Sequence, residues 1–424
     1  MSTNRGFSVF AAVACAVVLG CTPGPSRAGG EAAGNAPASR PYVVLVSFDA
    51  FRYDYLDRLN PPAFAEIAAR GVRAKALIPS FPSKTFPNHY TLVTGLYPGH
   101  HGIVGNTFFD PARRQFYRNN DPSAVTDGSW YSGEPIWVTA ARNGVTSGVF
   151  YWPGSEAAVG GVRPSYWSTF DPHVRNAMRV DSAIAWLRKP GNVRPHLVLL
   201  YINELDDSSH KHGPDSPEAD RAVASVDRAL RRLLDSLHAL PLGDSTNVVL
   251  VSDHGMSTVT PQHVIAVGDI LARAGVDTTR MRTSDNGPTM SIWFDGDSAR
   301  TRASRQALDS ATEHVHGYLR AQIPARWHLR DNTRAGDVLL VADDGYFLQR
   351  RASDKLPNPG QHGYDPLLPA MHGIFLAAGP GVRPLGTIAS FENVDVYPFV
   401  AALLHLDHVP VVDGNLNVLR AALR

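Results

Sequence analysis

The sequence predicts an α/β protein in which a mainly parallel sheet is flanked by helices on both faces and carries a small α+β insertion. Two observations lead there. Three apolar runs of strand length, "YVVLVSFDA", "HLVLLYINELDD" and "TNVVLVSDHG", are continuous rather than alternating, the pattern of strands covered on both faces. Helical patterns at 61–70, 178–187 and 219–237 fall between them, so strands and helices alternate along the chain.

In chain order, residues 1–20 place Arg5 ahead of "GFSVFAAVACAVVLG", the charged region and short apolar region of an export signal. That run is too short for a comfortable membrane span. The following "VVLGC" resembles a bacterial lipobox. It predicts an exported bacterial lipoprotein of the periplasm or cell envelope, membrane-anchored by lipid at Cys21, with ordinary signal cleavage as the alternative. Once the signal is removed Cys21 is the last cysteine, so the mature chain has neither a disulfide nor a thiolate metal site. Residues 21–40, rich in Pro, Gly, Ala and Ser, read as a flexible tether.

The folded domain is expected over 41–424. Residues 107–172, dense in Trp, Tyr, Gly and Pro, suit a loop-rich wall over a site. The α+β insertion is expected over about 285–349, from a strand in "MSIWFDG", a helix over 299–320, and strands in "RWHL" and "DVLLVADDGYFLQ". The core resumes at "GIFLAAGPGV" and closes with an apolar helix over 394–404. Lys and Arg number 40 against 39 Asp and Glu. With that balance no global field draws the protein onto nucleic acid, and any phosphate site must be local.

Ligands of such sheets bind beyond the carboxyl ends of the strands, and Asp49, Asp206 and Asp253 close the three apolar runs. Two of these ends carry histidine nearby, in "DDSSH" and "SDHG", and "GQHGYDP" adds His362 among glycines. Carboxylate and neutral imidazole are oxygen and nitrogen ligands that zinc accepts, and there are enough here for two ions. Asp206 and His210 share one face of a helical turn. Asp207 competes with Asp206 for that role, whereas His212 shares the face less well.

The stretch "PSFPSKTFPNHYTLVTGLYPGHHGIVGN" supplies the rest. Thr85 stands in a turn ahead of a helix-like segment, where free amides favour an anion, and is the candidate nucleophile. Ser83 is the other hydroxyl. Asn106 offers an amide donor suited to a non-bridging phosphoryl oxygen.

These pieces, with "VSFDAFRYDY", "YINELDDSSHKHGP", "VSDHGM" and "HGYD", resemble the nucleotide pyrophosphatase/phosphodiesterase family of the alkaline phosphatase superfamily, in family order from about residue 42 to 405. The resemblance implies an alkaline phosphatase-like catalytic domain with two Zn²⁺. Asp206, His210 and His362 would hold one ion, and Asp49, Asp253 and His254 the other. Thr85 would join the second ion and attack phosphorus, giving a covalent phosphothreonine that water hydrolyses. Phe86 and Tyr166 resemble the family's pair of rings around a nucleobase. Ser209 departs from the family's usual glycine. The wall reads "YWPGSE" and lacks the Lys-x-Arg pair common in monoesterase relatives, which favours diesters.

The expected activity is therefore that of a metal-dependent hydrolase of nucleotide-type phosphodiesters or pyrophosphates, with a small-molecule substrate. A phosphodiesterase for choline or lysophospholipid head groups, or a phosphonate hydrolase, is the second reading. A binding or scaffolding lipoprotein without activity is the third, opposed by the intact nucleophile and ligand set.

Overall fold

The computed structural model describes residues 40–284 and 287–424. The expected signal, the Cys21 anchor and the tether up to residue 39 lie outside the described residues.

Eight strands form the central sheet: β1 (Tyr42–Phe48), β2 (Val72–Ala74), β3 (Ser147–Phe150), β4 (Tyr166–Ser168), β5 (Leu197–Ile202), β6 (Thr246–Val251), β7 (Phe375–Ala378) and β8 (Gly386–Ile388). Their order is β8-β2-β7-β6-β1-β5-β3-β4. β7 alone runs against its neighbours β6 and β2, and every other pair is parallel. The three acid-ended runs are thus adjacent, with β1 between β5 and β6.

The apolar runs are continuous because both faces are covered. Along β1, Val43 and Leu45 pack with the helices Thr85–Thr94, Ile136–Arg142 and Val396–Leu403. Val44, Val46 and Phe48 pack on the other face with Pro62–Arg70, Asn176–Leu187 and Pro217–His238. Each fully buried side chain of this kind contributes about 1.5–3 kcal/mol. The helix expected over 394–404 is Val396–Leu403, entered through a 3₁₀ turn, Asn393–Asp395.

A second sheet joins Arg282–Thr283, Thr289–Trp293, Val338–Ala342 and Val315–Leu319 in that order, all antiparallel. The helix expected over 299–320 stops at Ala311, because Thr312 is extended and "VHGYL" pairs with Val338–Ala342 as Val315–Leu319. Val315 and Tyr318 favour that pairing and Gly317 disfavours helix. "RWHL" is not a strand. It is a 3₁₀ turn, Ala325–Trp327, closed by a left-handed His328, and the Trp327 ring stacks on Phe81 at 3.9 Å. The wall over 107–172 is more regular than its composition suggests, with a hairpin of Thr107–Asp110 and Gln115–Arg118 and the strands β3 and β4.

Candidate active site

The site lies at the carboxyl ends of β5, β1 and β6. Asp49 directly follows β1, and Asp253 and His254 follow β6 by two and three positions. Asp206 and His210 sit on the helix Glu204–His212, which β5 feeds directly. His362 arrives between two glycines that need to be glycines. A Cβ on Gly360 would fall 2.0 Å from the Ser209 carbonyl oxygen. Gly363, at φ +115°, would drive one to 2.4 Å from Lys84 Cε.

Six side chains converge there in two groups, Asp206 with His210 and His362, and Asp49 with Asp253 and His254. Each imidazole turns Nδ1 to a backbone carbonyl: His210 to Gly360 at 2.7 Å, His362 to Ser83 at 2.9 Å and His254 to Gly255 at 2.8 Å. Carbonyls only accept, so Nδ1 carries the proton and Nε2 presents a lone pair. These lone pairs face each other and the acids. His362 Nε2 is 3.2 Å from His210 Nε2, and His254 Nε2 is 3.0 Å from Asp253 Oδ2 and 3.5 Å from Asp49 Oδ1.

The carboxylates complete the test of whether a cation fits. Asp49 gives Oδ2 to the Tyr201 hydroxyl at 2.6 Å, and Asp253 gives Oδ1 to the Ala50 amide at 3.3 Å. The other oxygens, Asp49 Oδ1 and Asp253 Oδ2, are buried without a hydrogen-bond partner among the described residues, as is Asp206 Oδ1. Burial, then the charges of Asp253 and Asp206, pushes the Asp49 carboxyl well up. Burial pushes Asp253 the same way, but His254 and His89 outweigh it and hold this carboxyl far below the usual range. Unpaired acid oxygens and bare imidazole nitrogens facing one another at 3–4 Å are what bound divalent cations satisfy, and nitrogen with oxygen is a donor set zinc takes. The residues fit.

Of the two acids that competed from sequence, Asp206 belongs to the cluster. Asp207 is exposed and accepts from the Asn203 amide at 2.6 Å. His212 ends the same helix in solvent.

Thr85 is the first residue of the ten-residue helix Thr85–Thr94, half-exposed, with Oγ1 3.3 Å from His254 Nε2. Ser83 is spoken for: buried, it donates to the Tyr364 carbonyl at 2.8 Å, and its own carbonyl holds His362. Asn106 accepts the Phe86 amide at 3.0 Å through Oδ1, so its NH₂ is the part left to donate. Both Thr85 and Asn106 line a cavity of about 630 Å³ together with Asp49, Asp206, His210 and His362. Asn106→Ala should lower kcat by on the order of 10²-fold, the loss of one oriented donor. Steady-state kinetics reads this directly, and an unchanged rate would leave Asn106 as a turn residue.

Phe86 lines the cavity, but Tyr166 does not. Tyr166 lies on the edge strand β4, its hydroxyl on the Val193 carbonyl at 2.9 Å and its ring stacked on Trp186. The ring that faces the cavity from this segment is Phe170, 40% exposed and 5.3 Å from Tyr151. Strand pairing with β3 turns Tyr166 away, and the chain reaches the cavity only four residues later.

Other residues were missed as well. His89 is fully buried, donates Nδ1–H to the Thr85 carbonyl at 3.0 Å, lies 3.2 Å from Asp253 Oδ2, and holds Ser47 Oγ at 2.8 Å. It is the one histidine of the Thr85 stretch that reaches the site, since His101 bonds Thr91 and His100 bonds Asp413. Tyr201, Tyr151 and Glu156 also line the cavity. Ala50 and Tyr151, at φ +57° and +71°, hold left-handed backbone beside it, the kind of local strain that collects at functional sites.

A mainly parallel α/β sheet with helices on both faces, and a hydroxyl poised at paired Asp/His clusters beyond its strand ends, defines an alkaline phosphatase-like protein. The family model described as Type I phosphodiesterase / nucleotide pyrophosphatase matches residues 43–365. The chain belongs to the nucleotide pyrophosphatase/phosphodiesterase family of that superfamily. It is 34% identical to the bis(5′-adenosyl)-triphosphatase of Xenopus laevis, over 88% of this chain and 80% of the relative. It is also 34% identical to human ectonucleotide pyrophosphatase/phosphodiesterase family member 5, over 89% and 77%. Murine ectonucleotide pyrophosphatase/phosphodiesterase 5, solved as an inactive threonine-to-alanine variant in complex with AMP, superposes with a TM-score of 0.84 at 33% identity, over 91% of this chain and all of that one.

Proposed function

We propose that this protein hydrolyses nucleotide-type phosphodiesters or pyrophosphates with two zinc ions and a covalent phosphothreonine on Thr85. One observation carries the reading: the Thr85 hydroxyl stands 3.3 Å from His254 Nε2, beside two groups of acids and imidazoles in which Asp49 Oδ1, Asp206 Oδ1 and Asp253 Oδ2 are buried with no hydrogen-bond partner among the described residues. Asp206, His210 and His362 would hold one ion, and Asp49, Asp253 and His254, joined by Thr85, the other. When bound, the ions supply charge neutralisation at phosphorus and a lowered pKa for the attacking hydroxyl.

This chain's own groups do the rest. Thr85 Oγ1 forms the new bond to phosphorus as the bond to the leaving oxygen breaks, and a water oxygen later replaces Oγ1. The Asn106 NH₂ donates to a non-bridging oxygen as charge grows there. Among the described residues no lysine or arginine lines the cavity, while Glu156 and Asp207 do, so the second negative charge of a monoester finds no partner there. That supports diesters and anhydrides over monoesters. The AMP bound by the murine relative, and the loss of activity in its threonine variant, support a nucleotide and a threonine nucleophile here.

Phe86 and Phe170 line the cavity and would clasp the base. Stacking is worth roughly 1–3 kcal/mol per base, so Phe86→Ala and Phe170→Ala should each lower kcat/KM for a nucleotide diester by about 5- to 150-fold. A methyl aryl diester should lose far less, and Tyr166→Ala should change neither substrate. Equal losses on both substrates would make the rings structural, and a wild-type preference for glycerophosphocholine would replace the nucleotide reading with the head-group one.

A further inference from the structure

A second cavity, of about 620 Å³, adjoins the one that holds Thr85, and the two share Pro172, Asn203 and Asp207 in their walls. Four arginines line it: Arg175 and Arg179 from the start of Asn176–Leu187, and Arg228 and Arg232 from Pro217–His238. Two carboxylates face them, Glu204 and Asp207, together with His173. Both acids are engaged elsewhere, Glu204 by Asn176 and Ser225, and Asp207 by Asn203. Of the three exposed arginines in this lining, Arg232 is paired, with Asp181 at 2.8 Å. Among the described residues the side chains of Arg175 and Arg228 make no hydrogen bond or ion pair.

Unpaired surface arginines are ordinary, but Arg179 is not on the surface. It is 1% exposed, with Nε on the Val174 carbonyl at 2.9 Å and Nη1 on the Tyr201 carbonyl at 3.0 Å. Among the described residues no carboxylate lies within ion-pair distance of it. Its guanidinium stands 5.0 Å from the ring of Tyr151 and 5.8 Å from that of Phe170, so it backs onto the Thr85 cavity while lining the second one. A cation withdrawn from water without an acid is costly, and carbonyls and ring faces offset only part of that cost. An anion brought by a ligand would complete the balance.

We propose that this cavity is a second phosphate subsite, in which Arg175, Arg179 and Arg228 take another phosphate of the nucleotide whose scissile phosphorus lies at Thr85. The inference rests on the nucleotide reading of the Thr85 site. Guanidinium groups meet phosphate through paired N–H donors, which suits a ligand of this charge and shape. That phosphate has two chemical sources: the polyphosphate chain of the leaving group, or a phosphate on the ribose 2′- or 3′-hydroxyl.

The test compares the full-length, metal-loaded wild type with the double variant Arg175→Gln/Arg228→Gln. Both positions are exposed and unpaired, so the fold should hold. Four substrates separate the cases: an aryl ester of a nucleoside 5′-monophosphate, a nucleoside triphosphate, a dinucleotide pyrophosphate, and the same dinucleotide with a ribose 2′-phosphate. The expected result is a KM raised about tenfold for the substrate whose extra phosphate enters the cavity, with kcat/KM on the aryl ester within about twofold of wild type. A selective loss on the triphosphate assigns the leaving group, and a selective loss on the 2′-phosphorylated dinucleotide assigns the ribose. Equal losses on all four substrates, or no change on any, overturn the subsite. A wild type that cleaves none of them overturns the nucleotide reading, and this subsite with it.

Discussion

Thr85→Ala should abolish turnover, lowering kcat by on the order of 10⁴-fold or more, while the fold and the metal content stay those of wild type. The reasoning is geometric. Of the two candidate hydroxyls, Thr85 is the one that faces the clusters, 3.3 Å from His254 Nε2, because Ser83 is buried and already donates to the Tyr364 carbonyl. The Asp and His side chains that would hold the ions come from other elements and keep their backbone anchors in the variant. Thr85→Ser keeps the attacking oxygen and should retain part of the rate. Rapid quenching of the wild type with a labelled substrate should trap label on the peptide that contains Thr85. Near-normal turnover in Thr85→Ala, with no trapped label in the wild type, would exclude the covalent route.

The second large effect is expected at the ions. The wild type should hold two equivalents of zinc by elemental analysis, and His362→Ala about one, with kcat reduced by on the order of 10³-fold, since an ion supplies several kcal/mol of transition-state stabilisation. Asp253→Ala should empty the other group and cost at least as much, for two reasons. It removes an inward oxygen that accepts no hydrogen bond among the described residues, and it strips His254 and His89 of the acid that both face. The two variants should therefore lose different ions and both keep a folded far-UV spectrum. Full metal content and turnover in His362→Ala would remove that residue from the ligand set. One equivalent in a fully active wild type would reduce the site to a single ion.

Much of the site was legible in the chain because parallel sheets convert local order into spatial order. An acid at the end of an apolar strand is delivered to the carboxyl edge whatever lies between the strands, so Asp49, Asp206 and Asp253 could be read as neighbours from three runs more than a hundred residues apart at their extremes. Thr85, at the first turn of its helix, and Asn106 after a glycine-rich turn carried similar local marks. The strand in "RWHL" and the long helix over 299–320 were misread because neither segment carries its own decision. Trp327 is turned by its stack on Phe81, and residues 315–319 become a strand by pairing with Val338–Ala342.

The sequence by itself determined the fold class and the residue types of the candidate ligands and of the candidate nucleophile, because each depends on residue type and position within one element. Only the tertiary structure decided which members of close pairs face inward. Asp206 is chosen over Asp207 by the turn of one helix against His362, and Phe170 over Tyr166 by the pairing of an edge strand. His89 reaches Asp253, and Arg179 backs onto Phe170 and Tyr151, through contacts between elements with no common pattern in the chain. Periodicity reports the face a residue takes on its own helix or strand, and it is silent on what another element brings against that face.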